Sequence, residues 1–307
     1  MDMKTQQQVS TTEVVVVGGG PAGLQAALTL GRIHRDVVLF DDGAYRNAAA
    51  AHMHNVVAHD GTPPAQFRAD ARAQLAAYGT VELREVRVES IEEVDGHFRV
   101  RASDGRTVTA HAVVLATGVR DVLPAVPGLD ALWGGPVAHC PFCHGHELSG
   151  RRVGILGAAA APHLSALLGR IASGLLVLTD GADVPDGLPD GTGVRSERVV
   201  CVEPHEDGVR VTLEDADGRR SHEHVAGLFV RPELRQSAPF AEQLGLELNP
   251  SGAVRIDELG RSSRPGVLCA GDLAHQAVFP MPMASVVAAA AAGQLAASSA
   301  IMALLSH

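Results

Sequence analysis

Residues 13–23 read EVVVVGGGPAG. Four valines in a row, bounded by glycine, are a buried strand by run length and β-branching. Leu24 to Ile33 then carry an apolar helical pattern, and Val37 to Phe40 form a second strand that ends on Asp41. Strand, GxGxxG, helix, strand and acid is the order of a dinucleotide-binding βαβ unit. Gly18 permits the tight turn. Gly20, with Pro21 and Ala22 at the helix start, lets a pyrophosphate reach backbone N–H groups. Gly23 lets helix and strand pack closely, and Asp41 can accept from a ribose diol.

The chain has 307 residues, 46% hydrophobic and 20% charged, enough for two domains with their own cores. The net charge of −10 leaves no basic surplus for a nucleic-acid backbone or an anionic membrane. Four cysteines do not make a secreted disulfide scaffold, and the opening MDMKTQQQVSTTE has no apolar leader pattern. A cytoplasmic protein is therefore expected. Cys201 and Cys269 stand alone and read as buried apolar residues. Met281 to Leu305 lack charge but are dominated by Ala and Ser, which favours a buried closing helix over a membrane span.

Residues 44–62 read as a long loop with Arg46, Asn47, His52 and His54 as polar candidates; Arg46, Asn47 and His54 are taken as cofactor contacts. A helix follows over 63–78, with Thr62 as N-cap and Pro63 first. Val81 to Leu115 alternate as a β-meander that leads into a buried strand, closed by Ala116-Thr117-Gly118. Near the end, RPGVLCAGD (264–272) is a short strand that puts Gly271 and Asp272 at a strand terminus, suited to the ribityl and pyrophosphate end of a flavin.

The chain repeats itself. LGRIHRDVVLFDDG (30–43) matches LGRIASGLLVLTDG (168–181), and the meander over 95–118 matches 207–232. Two copies of one architecture follow. The copies differ where phosphates bind: GGGPAG in the first, Gly157-Ala158-Ala159-Ala160-Ala161-Pro162 in the second. A Cβ at the later positions blocks a pyrophosphate, and Asp180 repels a 2′-phosphate. The second copy thus keeps the fold without tight NADPH binding; the competing reading is NAD(H) on an unusual loop, with Asp180 on the ribose.

Between the copies lies His139-Cys140-Pro141-Phe142-Cys143-His144-Gly145-His146-Glu147. If a helix starts after Cys140, both sulfurs lie at its N-terminus, where the dipole favours a thiolate. Such a pair can close, reopen and carry two electrons. Zinc and a purely structural disulfide are the competing readings. No second ligand pair has finger-like spacing, so no metal is expected.

GGGPAG, the meander with ATG, the central CxxC and RPGVLCAGD together resemble the low-molecular-weight thioredoxin-reductase family across nearly the whole chain. His144, where thioredoxin reductases typically carry Asp, makes the chain most similar to the FAD-dependent dithiol oxidases of the gliotoxin, holomycin and romidepsin type. The resemblance implies an α/β fold of two Rossmann-like, three-layer ββα dinucleotide-binding domains with β-meander insertions. It implies a discontinuous FAD-binding domain (1–120 and 237–307) and a smaller NAD(P)-type domain (121–236) carrying the CxxC. FAD, a small-molecule dithiol, molecular oxygen and a second copy in a homodimer are the implied partners. Cys140 exchanges with substrate, Cys143 lies nearer the flavin and His144 is the base, with His139 and His146 as alternates. The family's closing-helix Arg-Gln pair is absent; Met283, Ala284 and Ser285 lie there. An NAD(P)H-dependent disulfide reductase and a non-enzymatic redox sensor are the alternative functions.

Overall fold

The computed structural model describes residues 9–305; the opening residues 1–8, read above as lacking a leader, lie outside them. Strand β1 (Val9–Val17) feeds helix α1 (Pro21–Gly31) and strand β2 (Val37–Phe40). After the loop come α2 (Pro64–Leu75), β3 (Val81–Arg84), β4 (Val88–Val94), β5 (His97–Ala102) and β6 (Thr107–Leu115). The stretch read as one meander from Val81 is split: β3 pairs parallel with β2 at the sheet edge, and only β4, β5 and β6 run antiparallel. Periodicity cannot distinguish the two, because both are half-buried strands.

The chain leaves this unit in β7 (Val119–Val122). It then builds α3 (Leu129–Leu132), β8 (Val137–Ala138), α4 (Pro141–His144), β9 (Arg152–Leu156), α5 (Ala161–Leu168), β10 (Gly174–Leu178) and β11 (Gly193–Arg195). Strands β12 (Arg198–His205), β13 (Gly208–Glu214), β14 (Arg220–Val225) and β15 (Gly227–Val230) complete the second unit. The chain returns through β16 (Glu233–Gln236), which pairs with β7. It ends with α6 (Phe240–Gln243), β17 (Val254–Ile256), β18 (Val267–Cys269), β19 (Ala274–Gln276) and α7 (Val286–Leu305).

By contacts the chain divides into two compact units. One holds the chain up to Arg46, Ala65–Arg120 and Leu234 onward; the other holds Asn47–Pro64 and Asp121–Glu233. Residues 47–64, read in sequence as part of the 1–120 segment, thus group with the CxxC unit. One reason is that Gly134 sits against the backbone of Ala49, with no room for a Cβ between them.

In the first unit β1 is buried on both sides. Val15 and Val17 join the core shared with Ile91, Phe98 and Val100 of the meander. Val14 and Val16 join the opposite core, with Ala26, Ala27 and Leu30 of α1 and Ala296, Ala297 and Ala300 of α7. Meander, parallel sheet and helices are therefore three layers, and the alternation of one strand fixes them. The second unit repeats the plan. Leu156, Leu176 and Leu178 face the meander residues Val209, Val211 and Leu213. Val153, Ile155 and Val177 face Leu164 and Leu168 of α5.

Helix α7 is long and apolar enough to cross a membrane by length and composition. It has a buried stripe, Ala289, Gly293, Ala296 and Ala300, at helical spacing. This stripe lies on α1 at backbone contact: a Cβ on Gly293 would fall inside the Ala22 carbonyl. Cys269 is buried and its thiol is pushed up by that burial. Cys201, read as buried, is only half-buried. It lies on β12 next to a register shift between Val199 and Cys201 that interrupts the strand's alternation.

Because backbone cannot yield to a methyl group here, Gly293→Ala is expected to cost about 1–3 kcal/mol. Urea unfolding of the purified protein reads this directly. A change near zero would mean that α7 is free to slide on α1.

Candidate active site

The carboxyl ends of β1, β2, β6 and β18 lie on one edge of the first unit's sheet, since these strands are parallel neighbours. Each ends in one of the motifs read from sequence. Gly18 turns with φ +116° and donates its N–H to Phe40 at 2.8 Å. A side chain there would meet the Ala116 carbonyl, and one on Gly23 would meet the Gly18 carbonyl. Gly20, by contrast, has no heavy atom within 4 Å of where its Cβ would be. It is the extended N-cap of α1, with Pro21 in the first turn. The loop is thus closed toward the sheet and open at the helix N-terminus, where first-turn N–H groups lack intrahelical partners.

Asp41 is 2% exposed. Its carboxylate lies directly beneath Gly19, where any Cβ would collide with it. Tyr45 donates its hydroxyl to Asp41 Oδ2 at 2.6 Å, Gly43 donates its N–H to Oδ1 at 3.0 Å, and Arg72 donates a further bond. Arg72 also bonds Tyr45 Oη at 2.6 Å and pairs with Glu85 at 2.7 Å. The Arg68 guanidinium stacks 3.8 Å above the Tyr45 ring. Burial, together with the Asp41 carboxylate, pushes the Tyr45 phenol up to about 12, so it remains a donor. None of Gly19, Tyr45, Arg68 and Arg72 was singled out in sequence. The one signal was the two arginines four residues apart, which share a face of α2.

The remaining edge residues converge from distant sequence. Arg46 pairs with Asp272 at 2.9 Å across 226 positions. Ala270 donates its N–H to Leu115 at 2.9 Å. Gly271, at φ +80°, leaves a would-be Cβ 3.1 Å from Ala22. Ala116 donates its N–H to Val17 at 2.8 Å, Thr117 follows it, and Gly118 turns with φ +66°. Asn47 and His54, also read as cofactor contacts, group with the second unit.

In that unit the CxxC forms a single helical turn. Cys140 is the extended N-cap of α4, and its carbonyl accepts from the N–H groups of Cys143 and His144, both at 3.1 Å. With only four residues, α4 supplies little of the dipole expected from a longer helix. Both cysteines are half-buried, while Phe142 between them is 65% exposed. Gly145 closes the turn, where a side chain would meet the Pro141 carbonyl and Ile171.

The three histidines of the motif differ. His139 stacks on Trp133, with centroids 5.7 Å apart. His146 is exposed. His144 is half-buried, and its Nδ1 is buried with no hydrogen-bond partner among the described residues. Burial holds the His144 pKa below the ordinary imidazole value, against the opposing pull of Glu147 and a hydrogen bond with backbone Gly134. It is therefore neutral near pH 7 and able to accept a proton. His54 lies with Nε2 3.5 Å from Glu147 and Nδ1 3.6 Å from Asp60.

Residues 12–161 match the family model described as pyridine nucleotide-disulphide oxidoreductase. A thioredoxin reductase of Leptosphaeria maculans, sirT, is 33% identical over 94% of this chain and 93% of its own. The chain belongs to this family. Members are flavin-dependent disulfide oxidoreductases, and the chain shares their thioredoxin-reductase-like α/β fold. A stretch of 151 residues is 44% identical to a probable thioredoxin reductase of Arthroderma benhamiae, covering 37% of that protein. The crystal structure of HlmI superposes with a TM-score of 0.83 at 32% identity, over 96% of this chain and 93% of its own.

A flavin dinucleotide fits the first unit's edge on the chain's own geometry. The glycine loop is a cradle that a Cβ at Gly20 would fill, and a buried acid stands at the end of β2. Gly19→Ala drives a methyl group into the Asp41 carboxylate. It is expected to weaken flavin binding about tenfold or more, read as a lower flavin-to-protein absorbance ratio after purification and a higher Kd on reconstitution.

Proposed function

We propose that the chain is an FAD-dependent dithiol oxidase. It closes an intramolecular disulfide in a small-molecule natural-product dithiol and passes the electrons to molecular oxygen, giving hydrogen peroxide. The observation that carries this reading is the second unit's nucleotide loop. After Gly157, a tight turn of Ala158–Ala160 leads into α5, and Ala160 and Ala161 are buried. Side chains occupy the positions where a pyrophosphate needs bare backbone. Asp180, at the end of β10, accepts the Val199 N–H at 2.7 Å. Arg195 is held by Glu197 at 2.6 Å, Ser221 at 2.8 Å and Glu223. A carboxylate stands where a 2′-phosphate would be read, and this nearby guanidinium is already neutralised. Reduction by the substrate replaces reduction by NADPH.

The chain's residues suit thiol exchange. A substrate thiol gives its proton to neutral His144, and the thiolate attacks Cys140 of the oxidised pair while Cys143 leaves as thiolate. The second substrate thiol attacks the substrate sulfur of that mixed disulfide and expels Cys140. The product ring closes and two electrons remain on the cysteines. Bound FAD supplies a two-electron acceptor that oxygen can reoxidise. Exposed Phe142 offers apolar surface beside both sulfurs.

A second reading, an NAD(P)H-dependent reductase, is favoured by the naming of the relatives as thioredoxin reductases. Anaerobic spectroscopy separates the two. The oxidase bleaches with a dithiol such as dithiothreitol and not with NADPH, and its colour returns in air with peroxide. Bleaching by NADPH alone would sink the oxidase reading. No bleaching by either reagent, with the cysteines still cycling, would indicate a redox sensor.

The lowered His144 pKa gives a signed pH dependence. The neutral base persists below the ordinary histidine range, so kcat/KM is expected to hold below pH 6.5 and fall only as pH drops through the depressed value. His144→Gln should abolish that acid limb and slow dithiol oxidation about a hundredfold.

A further inference from the structure

Forming the product disulfide removes two protons as well as two electrons from the dithiol. The electrons reduce the Cys140–Cys143 bond, and each proton must be taken up during exchange. On the function proposed above, His144 is loaded twice per turnover and must be charged and discharged in a fixed setting. The structure supplies that setting from an unexpected place.

Loop 53–62 belongs to the CxxC unit and is stitched to itself. Met53 donates its N–H to Thr62 at 2.8 Å, Gly61 to Met53 at 2.7 Å, and Asn55 to the Asp60 carboxylate at 2.7 Å. Met53 and Val56 are buried anchors. Asn55 and Ala58 hold left-handed backbone, φ +59° and +69°, a conformation that residues other than glycine adopt at a cost. The strained, self-bonded loop presents His54 between two carboxylates, 3.6 Å from Asp60 and 3.5 Å from Glu147. Glu147 follows His144 by three positions, across the turn closed by Gly145. We propose that His54 is a positioning residue for the exchange reaction: seated between Asp60 and Glu147, it offsets the pull of the Glu147 carboxylate on His144.

Glu147 and His54 bear on His144, as does backbone Gly134, beside the Cys140 and Cys143 thiols of the same turn; Asp60 and His52 lie behind His54, the His52 ring 6.5 Å from it. Of the motif's other histidines, His139 stacks on Trp133 and His146 faces solvent. Glu147 favours the charged form of His144 and His54 opposes it, so the two set the base against each other. A loop that only filled space would produce no such opposition.

Histidine NMR titration of the holoenzyme reads this without turnover, with the His144 signal assigned by His144→Gln. His54→Gln should raise the His144 midpoint and Glu147→Gln should lower it. His54→Lys, which places a fixed positive charge beside Glu147, should bring the midpoint back down. In parallel, His54→Gln should lower kcat for dithiothreitol oxidation about tenfold with little change in KM. Unchanged His144 midpoints in folded His54→Gln and Glu147→Gln proteins would overturn the proposal. If wild-type enzyme fails to oxidise dithiothreitol, the oxidase reading falls, while the titrations still decide the positioning role.

Discussion

Everything in the first unit hangs on backbone touching backbone. Gly18 against Ala116, Gly23 against Gly18, and Gly293 against Ala22 each leave no room for a Cβ. These contacts draw β1, β6, α1 and α7 together at one point. Chain segments from both ends of the sequence therefore converge on the N-terminus of one helix. Close approach is what makes that terminus an anion site rather than a covered helix end. Gly20 is left open only because its neighbours are closed.

Beside that point the structure holds a buried carboxylate without leaving it unsatisfied. Asp41 accepts from Tyr45, Arg72 and Gly43, and Arg72 is anchored in turn by Glu85. Removing one donor from such a network leaves a buried charge short of partners, which costs more than the bond itself contributes. The second unit handles its equivalent acid differently. Asp180 is satisfied by a backbone N–H, and Arg195 is tied up by glutamates. One duplicated architecture thus leaves an open glycine loop in one copy and carries a short CxxC turn in the other.

In that CxxC turn, burial is the largest influence on His144. With four residues, α4 supplies little dipole to the cysteines. His144 is kept neutral because it is half out of water, with one ring nitrogen left without a hydrogen-bond partner among the described residues. Phe142, between the two cysteines, keeps its apolar ring exposed.

The sequence by itself determined the layered fold, the duplication and the chemistry-bearing motifs. Valine runs, glycine spacing and paired cysteines act through local backbone geometry, which is written in neighbouring residues. It also carried the loss of glycines in the second copy. Tertiary structure decided the rest. Which helix face supplies Arg72 to Asp41, that His54 faces Glu147, and that β3 joins the parallel sheet all depend on contacts across dozens of positions. Of the motif's three histidines, the sequence marks His144 by its place after the second cysteine, but its burial and lowered pKa come from the packed surroundings, because desolvation leaves no mark in the order of residues.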